Sequence, residues 1–120
     1  MERILVVDDE IAVCDIMSDF LTLKGYEVYT ASDGQSAINK VKEVCPHLVL
    51  LDIVMPGISG IKVLKEIKKF NPETKVIIIT AVPDQGIITE SIDLGAYDYI
   101  RKPMDLKHIE HIVTTTMNNL

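Results

Sequence analysis

Cysteine, long apolar runs and basic charge are all scarce in this sequence, and each shortage excludes something. Only two cysteines, Cys14 and Cys45, occur in 120 residues. Neither has the close Cys or His neighbours that a zinc site requires; both are expected to be buried free thiols of a reducing compartment. Unbroken apolar runs such as Val76 to Ile79 stop far short of the roughly 20 residues of a membrane span. Met1-Glu2-Arg3 leads straight into a strand-like segment without a signal-peptide layout, so a cytoplasmic location is expected. Twelve basic residues stand against eighteen acidic ones, for a net charge of −6. Direct nucleic-acid contact, which needs a concentrated basic face, is therefore not expected. The one short basic cluster, Lys65, Lys68 and Lys69, is expected to solvate the outside of a helix. Repeats, linkers and low-complexity tracts are missing as well. What is there, 48% hydrophobic and 25% charged residues, suits one globular domain over 1–120.

Five apolar runs alternate with five helical segments. The runs are Ile4 to Val7, Val28 to Ala31, Leu48 to Leu51, Val76 to Thr80 and Tyr97 to Ile100. The first, third and fourth are continuously apolar, as central strands covered on both faces must be, whereas the second and fifth are more polar and belong at the edges. Helix one presents Ile16, Phe20 and Leu23 and stops at Gly25. Helix two opens on the capping-box pattern Ser32-Asp-Gly-Gln35 and presents Ile38, Val41 and Val44. Helix three starts near Ser59 or Gly60 with Val63, Leu64 and Ile67. Helix four runs from about Asp84 to Leu94, and helix five carries Leu106, Ile109, Val113 and Met117. Short connections between alternating strands and helices predict a doubly wound α/β domain with parallel strands and right-handed crossovers.

In such a sheet, ligands bind beyond the carboxyl ends of the strands. Strand one delivers Asp8 and Asp9 there, strand three Asp52, strand four Thr80, and strand five Lys102-Pro103. Each has an ordinary alternative: Asp9 as a helix cap, Asp52 as a turn former, Thr80 as a common strand residue, Lys102 as a surface lysine. Those alternatives do not require a shared rim. Three crowded carboxylates raise one another's pKa unless a cation intervenes, and a hard divalent ion with oxygen ligands relieves the repulsion. With Lys102 and Thr80 as donors, the set suits a transferring phosphoryl group, and a carboxylate can attack phosphorus to form an aspartyl-phosphate.

The chain closely resembles a response-regulator receiver domain of two-component signalling, on Val6-Val-Asp-Asp9, Leu51-Asp-Ile-Val-Met-Pro-Gly57 with Gly60, Ile79-Thr-Ala81, Gly95-Ala-Tyr-Asp-Tyr99 and Lys102-Pro103. The resemblance spans the whole chain and implies a flavodoxin-like (βα)5 sheet of strand order 2-1-3-4-5. It implies Asp52 as phosphoacceptor, charged by a sensor histidine kinase or a histidine phosphotransfer protein. Mg2+, with Mn2+ as the alternative ion, would be held by Asp9, Asp52 and the main-chain carbonyl of Val54, with Asp8 holding metal-bound water or contributing directly. Thr80 and Lys102 would each bind a phosphoryl oxygen, and the Lys102–Pro103 bond would be cis. Tyr99 matches an aromatic switch position that turns inward as Thr80 moves, repacking the surface of helix four, strand five and helix five to control a partner; an ordinary half-buried strand aromatic is the alternative. The family also admits a phosphorylation-dependent dimer.

Ser59 stands where an acid is frequent, and caps helix three equally well. Val54 and Val82, two residues past Asp52 and Thr80, offer nothing to orient an attacking water, so slow self-dephosphorylation is expected. His47, His108 and His111 are expected to be solvated. Three rival readings fit the residues less well. A phosphohydrolase with an aspartyl nucleophile lacks its Asp-x-Asp-x-Thr motif and a cap domain here. A flavodoxin-like cofactor carrier lacks its phosphate-cradling loop, because Asp8-Asp-Glu10 stands in that place. A pseudo-receiver that binds without phosphorylation does not account for the full acid, threonine and lysine set. Residue 120 falls just past helix five, so the chain reads as a single-domain regulator or as a receiver cut from a longer protein with an output domain.

Overall fold

The computed structural model describes residues 1–81 and 84–120. Strands and helices alternate strictly: β1 (Arg3–Val7), α1 (Ile11–Leu23), β2 (Glu27–Ala31), α2 (Gly34–Val44), β3 (Leu48–Asp52), α3 (Gly60–Phe70), β4 (Lys75–Thr80), α4 (Gln85–Asp93), β5 (Asp98–Arg101) and α5 (Leu106–Asn118). All neighbouring strands are parallel, in the order β2-β1-β3-β4-β5, so the two more polar strands lie at the edges as expected.

Helices cover both faces, and each central strand splits its side chains between them. Ile4, Val6, Leu48, Leu50, Ile77 and Ile79 pack with Cys14, Met17 and Leu21 of α1 and with Ile109, Val113 and Met117 of α5. Leu5, Val7, Val49, Leu51, Val76 and Ile78 face Ile38 and Val41 of α2 and Val63, Leu64 and Ile67 of α3. Every residue of β3 is buried. No helix among the described residues is long and apolar enough to cross a membrane.

Four local expectations need correction. The buried face of α1 is Cys14, Met17 and Leu21, whereas Ile16 and Leu23 are exposed. Both triplets satisfy helical spacing because the helix is apolar everywhere except the stripe of Asp15, Ser18, Asp19 and Thr22, so periodicity alone does not choose between them. Helix α2 is capped by Asp33, whose carboxylate accepts from the Ser36 backbone N–H at 2.8 Å, one residue later than the Ser32 box implied. Cys14 is buried but Cys45 is exposed, because it ends α2 in a left-handed conformation at φ 46. His47 is tied down rather than solvated: its Nδ1 accepts from the Arg3 backbone N–H at 2.9 Å. His108 and His111 are exposed, and Ser59 does cap α3, accepting from the Lys62 N–H.

Candidate functional site

The register brings the acids together. Val7 lies beside Leu51, so the next residues, Asp8 and Asp52, emerge level with each other from adjacent central strands. Thr80 pairs with Arg101, and the Lys102 N–H donates to the Thr80 carbonyl at 2.8 Å, which fixes Lys102 immediately beyond β5. The Lys102–Pro103 bond is cis.

From there the Lys102 side chain returns over the sheet. Its Nζ donates to Asp8 Oδ2 at 2.8 Å and to Asp52 Oδ2 at 3.2 Å. Asp8 and Asp52 are 2% and 4% exposed, and carboxylates so enclosed are costly unless paired. The remaining oxygens are satisfied locally: Asp8 Oδ1 accepts from the Glu10 N–H at 2.9 Å and Asp52 Oδ1 from the Val54 N–H at 3.0 Å. Asp9 is exposed above them. It does not cap α1; the N-cap is Glu10, without a side-chain cap bond. Asp8, Asp9 and Asp52 each offer an oxygen, all within 4.8 Å of one another.

Burial is the largest cause pushing the Asp52 carboxyl above its ordinary value; the Val54 N–H and Lys102 oppose it, and the neighbouring Asp8 adds only a little. Desolvation, not crowding among acids, therefore dominates, contrary to the simplest reading of three adjacent carboxylates. Lys102 moves upward as well, since its two carboxylate partners outweigh its own burial. The result is a carboxylate of increased basicity whose charge is steadied from one side by Lys102.

The loop after Asp52 is set by a close approach. A Cβ on Gly60 would lie 2.6 Å from Ile53 Cα and 2.8 Å from Ile53 O, so only glycine lets α3 begin against the β3 end, where the Gly60 N–H donates to that carbonyl. Val54 is left 57% exposed beside Asp52. Val82 lies outside the described residues. Thr80 is buried at the end of β4, and Tyr99 on β5 is 44% exposed.

Two neighbours of the site escaped sequence reasoning. The Cys14 thiol donates to the Asp8 carbonyl at 3.3 Å, bracing the acidic turn from below; a lone helical cysteine gives no hint of this. An apolar groove of about 440 Å³, lined in part by Val13, Ile16, Met104 and Leu106, lies between α1 and the start of α5, with Lys102 also in its lining. The exposure of Ile16 belongs to that groove, so its helical position was the available signal.

Comparison with known proteins agrees with this geometry. The family model described as response regulator receiver domain matches residues 4–114. The chain is 41% identical over 103 residues to the chemotaxis protein CheY of Thermotoga maritima, covering 85% of this chain and 86% of that one. It is 37% identical to sporulation initiation phosphotransferase F of Bacillus subtilis, covering 93% and 90%. It is 39% identical to the regulatory protein AtoC of Escherichia coli over 94% of this chain, but spans only 24% of that protein's length. A CheY-like receiver domain protein from Methanospirillum hungatei superposes with a TM-score of 0.96 at 28% identity, covering 99% of this chain and 95% of that one.

Proposed function

Because the chain belongs to the response-regulator receiver family of two-component signalling, we propose that Asp52 is its phosphoacceptor and that a histidine kinase or phosphotransfer protein supplies the phosphoryl group. The observation that carries this reading is the single ammonium of Lys102 held against both Asp8 and Asp52. Such an arrangement has no structural advantage over an apolar pair of the same volume, but it serves a reaction that adds negative charge at that point.

An oxygen of Asp52 attacks phosphorus in line. The new P–O bond forms as the P–N bond to the donor imidazole breaks, and the electron pair returns to the ring nitrogen. Lys102 has a third N–H beyond those given to Asp8 and Asp52, and can present it to a phosphoryl oxygen without leaving Asp8. The hydroxyl of Thr80 serves another oxygen. The clustered donor set fits a hard divalent cation; Asp8, Asp9, Asp52 and the Val54 carbonyl would hold Mg2+, or Mn2+ in its place. When bound, the ion supplies positive charge that offsets the repulsion between acids and incoming phosphoryl oxygens. Lys102 orients the acceptor, and the apolar groove that Lys102 helps to line offers a dry surface where a donor protein can exclude water.

The phosphoryl group then draws Thr80 towards itself, and Tyr99 turns from its exposed position into the space released. That motion repacks α4, β5 and α5 and changes what they bind: a protein target, a second copy, or an output domain of the kind implied by longer relatives such as AtoC. The cytoplasm is the compartment this reading assigns, and 1–120 its signalling unit. The receiver family is a signalling family rather than a family of turnover enzymes, and the exposed Val54 side chain, unable to orient water, favours retention of the phosphoryl group over the phosphohydrolase alternative. Intact mass after treatment with acetyl phosphate and Mg2+ tests the assignment. One phosphoryl is expected on the wild type and none on Asp52→Ala; an equal gain in both removes Asp52 as acceptor.

A further inference from the structure

At the end of the sheet opposite Asp52, the segments leading into β1, β3, β4 and β5 line an open groove of about 770 Å³. We propose that this groove binds a small phosphate-bearing anion, independently of whether Asp52 accepts a phosphoryl group. Its lining includes Arg3, Lys68 and Lys75, with Glu73 as the one acidic side chain, in a chain whose net charge is −6. Among the described residues the ion pairs join Lys24 to Glu110, Lys40 to Glu43, and Lys102 to Asp8 and Asp52; the three groove cations have no carboxylate partner.

They are also held in place. The Arg3 guanidinium donates to the carbonyls of Val44 at 2.8 Å and Cys45 at 3.0 Å, which occupies two of its five N–H groups and leaves part of the fork for a ligand. Lys68, expected to be a solvated helix residue, instead donates to the Thr74 carbonyl at 2.8 Å and the Pro72 carbonyl at 3.0 Å. Its stem crosses Gly95, where a Cβ would come within 2.9 Å of Lys68 Cε. Lys75 stands over the Tyr97 ring at 4.2 Å. Backbone bonds from Lys75 N to His47 O and from His47 N to Arg3 O knit the floor together.

Burial first, and then the charge of Lys75, lower the Lys68 pKa. An anion seated between the two ammonium groups relieves that repulsion. A guanidinium and two ammonium groups around one space suit more than one negative charge on a compact group, which phosphate esters and pyrophosphate carry and a lone carboxylate does not. The volume is that of an ordinary small-ligand site.

Inorganic pyrophosphate is the probe, titrated without divalent metal so that no ion can bridge it to the acids around Asp52. Amide shifts read by NMR are expected to saturate at Arg3, His47, Lys75 and Tyr97. Lys75→Gln, which leaves the carbonyl bonds of Arg3 and Lys68 intact, should weaken binding about tenfold. Glu73→Gln, which removes the opposing charge, should tighten it. Absence of a saturable shift in the folded wild-type chain overturns the proposal, as does an affinity that neither substitution moves.

Discussion

The ammonium of Lys102 lies 2.8 Å from a carboxylate oxygen of Asp8, although 94 positions separate them in the chain. It reaches across from the edge of the sheet to its centre, and both Asp8 and Asp52 depend on it for their only cationic neighbour among the described ion pairs.

Lys102→Met should therefore leave two enclosed carboxylates without a counter-charge. A loss of roughly 2–4 kcal/mol is expected, at the lower end because the ammonium keeps some contact with solvent. Urea unfolding at neutral pH measures it, and the loss should shrink in acid as Asp52 takes up a proton. An unchanged midpoint at neutral pH would show that the pair contributes nothing.

Asp52→Asn should act in the opposite direction. The unfolded carboxyl titrates at its ordinary value of 3.8 and the folded one higher. Between those values the folded chain holds more protons than the unfolded one, so stability falls as pH rises through that window. Asparagine carries no such burden. Thermal unfolding should find the variant level with wild type below the lower value and higher in Tm than wild type at neutral pH. A less stable variant at neutral pH contradicts the sign.

Mg2+ should raise Tm through Asp9. A cation at roughly tenfold excess over its Kd adds about 1.4 kcal/mol. Asp9→Asn, an exposed change, should alter metal-free stability by no more than about 0.5 kcal/mol while largely erasing the Mg2+ increment. An increment of equal size in the variant would place the ion elsewhere.

Phosphorylated wild-type chain should lose its phosphoryl group slowly, over minutes or longer, because Val54 cannot position water. Val54→Asn should shorten that lifetime, followed by loss of the phosphorylated mass after donor removal. A wild-type half-life of seconds in Mg2+ refutes the role given to Val54.

Gly60→Ala should cost roughly 1–3 kcal/mol, since the added carbon meets backbone rather than a movable side chain. The displaced loop carries the Val54 N–H that holds Asp52, so phosphorylation by acetyl phosphate should slow in parallel. Wild-type stability in this variant would mean that the loop yields freely.

Much of this was legible in the residues. The central strands declared themselves by having no alternation; the ends of β1 and β3 bring Asp8 and Asp52 together, and Lys102, just past the edge strand β5, reaches both. Legibility failed where two answers satisfied the same rule. Ile16, Phe20 and Leu23 fit a helical stripe as well as Cys14, Met17 and Leu21 do, and only packing against Ile4 and Val6 selects the second. Ser32 and Asp33 are both good caps. Lys68 and His47 were misjudged because their partners are backbone carbonyls and amides, which carry no residue-specific signal. The cause of the Asp52 shift needed depth of burial, a property of the fold and not of spacing.

The complete enclosure of β3 has one more consequence. A strand with one wet face is locked in alignment, since a slip by one residue would turn its apolar side chains outward. Leu48 to Leu51 has no wet face, so apolar burial alone would tolerate such a slip. A slip that drew Asp52 one residue deeper would set its charge between Val7 and Ile78, away from Lys102. The carboxylate thus also indexes the strand, marking the one alignment in which β3 can end.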